Sequence, residues 1–292
     1  MNTQLKSVST VLNAPEPNMV GDGFFVSNFF PNGYKINMSP FVMLDFNAKM
    51  ELSASLEPKS VGAHPHRGLE KVTIAYHGAV AHQDSADNKG IIYPGDVQWM
   101  TAARGILHKE YLEQEFSLTG GIFQMVQLWV NLPAKDKMGT PKYQSIKHDA
   151  IGKYTLKGDA GSIEVIAGAY EGVKGSASTF TDLHVYNAKL NADGAAVFSF
   201  PAGFNTGFMV IEGSITVNDN ENAKEGQFVY FNNDGTEIQL KASEKSVVLI
   251  LSGEPINEPI AQYGPFLMNT QEEVEQAMDD YNRGCFGYLE VD

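Results

Sequence analysis

The feature that most restricts this chain is a succession of short apolar runs broken by turn residues: KVTIAYHG, GIIYPGDVQWM, FQMVQLWVNL, GSIEVIAG, LHVYNAKL, AAVFSF, GFMVIEGSITV, GQFVYF and SVVLILSG. These runs are short, rich in β-branched and aromatic residues, and separated by residues that favour turns. The expected fold class is therefore all-β, of the sandwich or barrel kind. At 292 residues the chain exceeds the ~150 residues of a common domain, which fits two domains or one large β domain.

A faint internal repeat favours two similar barrels. AYHGAV followed by PGDVQWM is matched by VIEGSITV followed by KEGQFVYF, with Gly78 and Gly95 in one copy and Gly213 and Gly226 in the other. Each copy reads as strand, glycine turn, strand, glycine turn, as expected of a duplicated β-barrel module. The Pro- and Lys-rich stretch LPAKDKMGTPKYQ (132–144) reads as a linker and puts the boundary near residue 140. The expected parts are a barrel over 1–140, a second over 141–252, and a C-terminal segment over 253–292. In that last segment Thr270 and Glu273 have capping-box spacing and Gly284 closes the helix. Val274, Ala277, Met278 and Tyr281 recur at helical spacing and should dock on a barrel.

Charge and composition narrow the function. With 21 Lys and Arg against 35 Asp and Glu, the net charge of −14 repels phosphate backbones, so no direct nucleic-acid partner is expected. The single cysteine, Cys285, has no intramolecular partner for a disulfide and suits a reducing compartment. The N-terminus lacks an apolar run of signal-peptide length, and no stretch approaches the ~18 apolar residues of a membrane span. The expectation is a cytoplasmic protein with no membrane partner.

The residues that could carry chemistry come in two pairs. In GAHPHRGLE, His64 and His66 are separated by one residue, and on a strand such positions project from the same face. LHKE repeats the spacing with His108 and Glu110. Two strands facing each other across a barrel could then offer three imidazole nitrogens and one carboxylate oxygen, a set that suits iron, nickel, copper or zinc. Spacing alone leaves a second reading open, in which these are hydrogen-bonded strand histidines. Phe41, Met43, Phe46, Trp99 and Met100 flank the two motifs and are candidates for a cavity wall suited to a planar aromatic molecule. His82 and Asp84 in AHQDS read as a solvated hairpin, with an approach to the pocket mouth as the alternative.

Longer blocks point further. GAHPHRGLEKVTIAYHG resembles the first cupin motif, and YPGDVQWMTAARGILHKE resembles the second in its pirin form. MVGDGFFV, SPFVMLDFNAKM and LWVNLP are similar to segments of the pirin N-domain, and GEPINEPIAQYGPFLMNTQEEVEQAM to the C-terminal signature of that family. The resemblance spans 18–143 and 253–282 and is weak between them.

The resemblance implies two tandem cupin barrels of jelly-roll type, with one divalent metal in the first and none in the second. The ligands it implies are His64, His66, His108 and Glu110; the metal is usually iron, as Fe(II), with Ni, Cu, Zn, Mn or Co as alternatives. Glu70 is the rival carboxylate of the general cupin pattern and is expected instead as a hydrogen-bonded neighbour of the site. Ala103 in TAARG stands where the family more often has glycine. The implied activity is that of quercetin 2,3-dioxygenase, in which a flavonol and dioxygen react at the metal, with Glu110 also accepting the flavonol hydroxyl proton. The alternative the resemblance implies is a metal- and redox-dependent regulatory protein that binds a protein partner.

Overall fold

The computed structural model describes residues 4–290. As the run pattern requires, strands dominate, and the chain divides into two compact units that are not continuous in sequence. One comprises residues 16–35, 41–148 and 256–290, and the other 4–15, 36–40 and 149–255. Both are built alike, from a seven-stranded and a four-stranded antiparallel sheet.

In the first unit the larger sheet has the spatial order Lys142–Ile146, Val97–Thr101, Leu69–His77, Gly121–Asn131, Phe41–Leu52, Phe24–Phe30 and Asn18–Val20. The smaller sheet runs Ser60–His66, Ile106–Leu112, Val80–Asp84 and Lys89–Ile92. Side chains from both sheets, among them Phe24, Leu52, Val80, Leu112 and Phe123, form a shared apolar cluster, so the sheets pack as two layers. In the second unit the sheets are Val8–Asn13, Gln227–Phe231, Asn205–Glu212, Ser246–Gly253, Leu183–Leu190, Gly161–Ala167 and Gly152–Thr155, and Ala195–Ser199, Glu237–Ala242, Ser214–Val217 and Glu221–Lys224. Its interior is filled by Tyr186, Phe198, Phe208, Ile215, Phe231 and their neighbours. The repeat seen in the sequence marks equivalent turns: Gly78, Gly95, Gly213 and Gly226 have φ of +76°, +93°, +81° and +79°, which glycine adopts without steric cost.

Three sequence expectations about organisation differ from the structure. The parts expected at 1–140, 141–252 and 253–292 give way to the interleaved division, because Val8–Asn13 pairs with Gln227–Phe231 of the second unit. The tail joins the first unit, where Leu267 donates its backbone N–H to the Arg67 carbonyl at 3.0 Å. The stretch 132–144 is no loose linker: Lys142–Ile146 is a strand paired with Val97–Thr101, and the Lys137 amine is buried against Gly68 O, Asn131 Oδ1 and Leu267 O at 2.6–2.8 Å.

The expected C-terminal helix spans Gln271–Asn282 with its capping box formed. Val274 and Ala277 are buried, whereas Tyr281 is 41% exposed, so the docked stripe is narrower than its spacing suggests. Asp280 on this helix pairs with Arg67 at 2.8 Å, next to His66 in sequence. Among the described residues, no helix is long and apolar enough to cross a membrane.

Candidate metal centre

Ser60–His66 and Ile106–Leu112 are hydrogen-bonded neighbours in the four-stranded sheet, rather than strands facing each other across the barrel. His108 lies directly opposite His64, a position where cross-strand side chains stand close. The register then shifts, so that Glu110 is opposite Val61. One extra residue on the Ser60–His66 strand accommodates this shift, and such bulges re-aim side chains beside functional sites.

The structure brings His64, His66 and His108 together, with ligand atoms within 4.8 Å of one another. His64 Nδ1 is 2.7 Å from the Gly62 carbonyl. A carbonyl can only accept, so Nδ1 carries the proton and Nε2 presents its lone pair toward His108 Nε2, 2.9 Å away. Neither ring nitrogen of the buried His66 has a hydrogen bond of ordinary geometry. Burial, followed by the Lys71 charge, holds His64 down to about 4, against the pull of the Gly62 carbonyl. Burial also holds His66 and His108 well below the usual imidazole range. Three neutral, converging imidazoles, one with orphaned nitrogens, fit a divalent transition metal.

Glu110, the implied fourth ligand, falls in a separate grouping with His82 and His108. Its Oε2 accepts from Lys71 Nζ at 2.8 Å and Gln127 Nε2 at 2.9 Å, and its Oε1 from Gln98 Nε2 at 2.8 Å and Thr73 Oγ1 at 3.2 Å. Burial opposes ionisation of Glu110, but the adjacent Lys71 overrides it and holds the carboxyl at about 2. Lys71 Nζ is also 3.2 Å from His108 Nε2. Glu70, one residue earlier on the same strand, points to the other face and accepts from Thr101 Oγ1 at 2.8 Å.

A second row supports the first. His82 and Asp84, expected in a solvated hairpin, are 1% and 3% exposed, because Val80–Asp84 pairs with Ile106–Leu112 on the inner face of the sheet. Asp84 Oδ2 is 3.2 Å from His82 Nε2, and His82 Nδ1 is 3.4 Å from His108 Nδ1. Tyr143 stacks on the His82 ring at 4.8 Å. This carboxylate–imidazole row backs the His108 ring on the side away from His64, an arrangement that fixes ligand orientation. The AHQD spacing is the same alternate-residue signal as the His64/His66 and His108/Glu110 pairs.

A cavity of about 220 Å³ opens onto His64, His66, Lys71 and Glu110. Its apolar walls include Phe24, Met43, Met125 and Trp129. Of the wall residues expected from sequence, only Met43 lines it. Strand alternation turns Gln98 toward Glu110 and Trp99 away, and Met100 packs in a small cluster with Ala102 and Ile106. Asp45 on the wall is raised to about 6 by burial, with its Asn28 hydrogen bond opposing the rise.

Comparison with known proteins agrees with this architecture. A sequence model described as Pirin matches residues 24–130, and one described as Pirin C-terminal cupin domain matches residues 185–287. A Pseudomonas aeruginosa protein named "Putative quercetin 2,3-dioxygenase" is 42% identical over 283 residues, covering 97% of this chain and 99% of the relative. Pirin-like protein 2 of Arabidopsis thaliana is 36% identical, covering 92% of this chain and 82% of the relative. The crystal structure of a quercetin 2,3-dioxygenase from Acinetobacter baumannii superimposes with a TM-score of 0.93 at 42% identity, covering 98% of this chain and 100% of that one.

Proposed function

The chain belongs to the pirin family, and from that membership we propose that it is a metal-dependent oxygenase of the quercetin 2,3-dioxygenase kind, cleaving the central ring of a flavonol with dioxygen. The observation that carries this reading is the convergence of three neutral imidazoles, from His64, His66 and His108, at an aromatic-walled cavity. These residues would hold one divalent ion, in first place Fe(II), with the Glu110 carboxylate beside them. When bound, the ion supplies Lewis acidity toward a chelating hydroxyl and activation of dioxygen.

The protein's own groups do the rest. Phe24 and Trp129, with Met43 and Met125, offer apolar and π surface against which a planar ring system is held and water excluded. Glu110 is ionised at neutral pH and accepts the hydroxyl proton of the substrate. A carboxylate held near 2 is a weak base, so the transfer is favourable only from an acidic hydroxyl, and lowering that hydroxyl's pKa is chemistry the ion would supply when bound.

Metal-loaded protein is expected to consume quercetin in air, with turnover abolished in His64→Ala and His108→Ala. For Glu110→Gln, turnover should fall by about 10²-fold or more while most of the metal is retained, since an amide accepts hydrogen bonds but takes no proton at neutral pH. If wild-type protein binds its metal and consumes no flavonol beyond free metal, the oxygenase reading falls. A metal- and redox-dependent regulatory role, exerted on a protein partner, then takes its place.

A further inference from the structure

Lys71 is a charged group of the centre that the sequence did not announce. It lies on the inner face of Leu69–His77, 4% exposed, with its amine between Glu110 Oε2 at 2.8 Å and His108 Nε2 at 3.2 Å. Both contacts compete with a metal. An ion on His108 Nε2 takes the lone pair that Lys71 addresses, and an ion on Glu110 Oε2 displaces the amine from its carboxylate. The two losses are unequal. On losing His108 the amine still has its ion pair; on losing Glu110 it becomes a buried cation without a counter-charge, the costlier state. Glu110 is also held by Gln98, Gln127 and Thr73, so each oxygen already accepts two hydrogen bonds.

We infer that Lys71 is a positioning residue that keeps Glu110 out of the metal's coordination sphere, leaving a centre ligated by three histidines with the carboxylate free beside it. The inference rests on the metal-centre reading above. It has a chemical consequence for substrate class. With Glu110 neutralised by Lys71, a divalent ion on three neutral imidazoles presents two positive charges to an incoming ligand, where a carboxylate-ligated ion presents one. It also keeps more open positions. Such a centre favours ligands that chelate through two adjacent oxygens, one of them ionised, over neutral monodentate ones.

The test uses the full chain stripped of metal and titrated with Co(II), reading the visible absorption spectrum and the dissociation constant. The variants are Lys71→Gln, Glu110→Gln, Lys71→Gln/Glu110→Gln and, to keep the cation, Lys71→Arg. Wild type, Lys71→Arg and the double variant should share one spectrum, and the double variant should bind Co(II) within about threefold of wild type, because the neutral pair is removed as a unit. Lys71→Gln alone should change the spectrum and tighten binding by about tenfold or more, as Glu110 is released to the metal. Wild type and Lys71→Gln sharing a spectrum that the double variant loses, with affinity falling about tenfold, overturns the inference. Should the Lys71 variants fail to fold, wild type against Glu110→Gln decides: an unchanged spectrum supports the inference and a changed one overturns it. Unaltered Co(II) binding in His108→Ala overturns the metal-centre reading itself, and the inference with it.

Discussion

Glu70 and Lys71 are adjacent in sequence, and the strand sends them to opposite faces, one toward Thr101 and the other into the His/Glu cluster. Glu70 is 1% exposed and raised to about 7 by burial, with the Thr101 hydrogen bond opposing the rise. Its folded-state value lies above the unfolded one, so its contribution is fully present below about pH 4.5 and is lost as pH rises through about 7. Wild-type stability should therefore fall over that window by up to about 3 kcal/mol more than that of Glu70→Gln, measured by urea denaturation at a series of pH values. The pairs His64/His66 and His108/Glu110 were legible because alternate-residue spacing on a strand fixes a shared face. Lys71 was not, because a lysine in a strand is ordinarily solvated and only the three-dimensional placement of Glu110 gives it a buried partner. His82 and Asp84 carried the same spacing as His64/His66 and His108/Glu110, but nothing local in the sequence says that Val80–Asp84 is covered on its inner face.

The turn before His108 shows what an element can conceal. Ala103 has φ of +44°, in the left-handed region, and its carbonyl accepts from Gly68 N at 2.8 Å, tying this turn to the end of the His64–His66 strand. Glycine at this site avoids the clash of Cβ with the backbone, at the cost of a more flexible unfolded chain. Ala103→Gly should stabilise the protein by about 0.5–1 kcal/mol, read as a raised denaturation midpoint with unchanged slope. The sequence showed that the residue departs from the family pattern; its backbone conformation supplies the physical reason glycine suits that place. The capping box at Thr270 was legible because all its parts lie within four residues, whereas the partner of the strand Lys142–Ile146 comes from a distant segment and made 132–144 look like linker.

Across the whole molecule, the two units share one plan and differ in what fills it: His, Glu and Lys in the first, aromatic rings in the second. His184, in the second unit, is engaged by its neighbour, with Nδ1 2.7 Å from the Tyr186 hydroxyl. Elemental analysis of loaded protein should give about one equivalent of metal per chain, unchanged in His184→Ala and lost in His108→Ala. The duplication was legible in the turn glycines. The interleaving was not, since the hydrogen bonds that create it join residues far apart, such as Ser7 with Asp234, 227 positions away, and Arg67 with Asp280, 213 positions away. During synthesis the edge strand Val8–Asn13 of the second barrel emerges before any strand of the first, and the strand Phe266–Met268 that belongs with the first emerges after every strand of the second. The barrel that begins to emerge second is thus also finished second, neither half can be excised by a single cut, and a chain stalled before Ile256 carries the histidines of the first barrel in an unclosed frame.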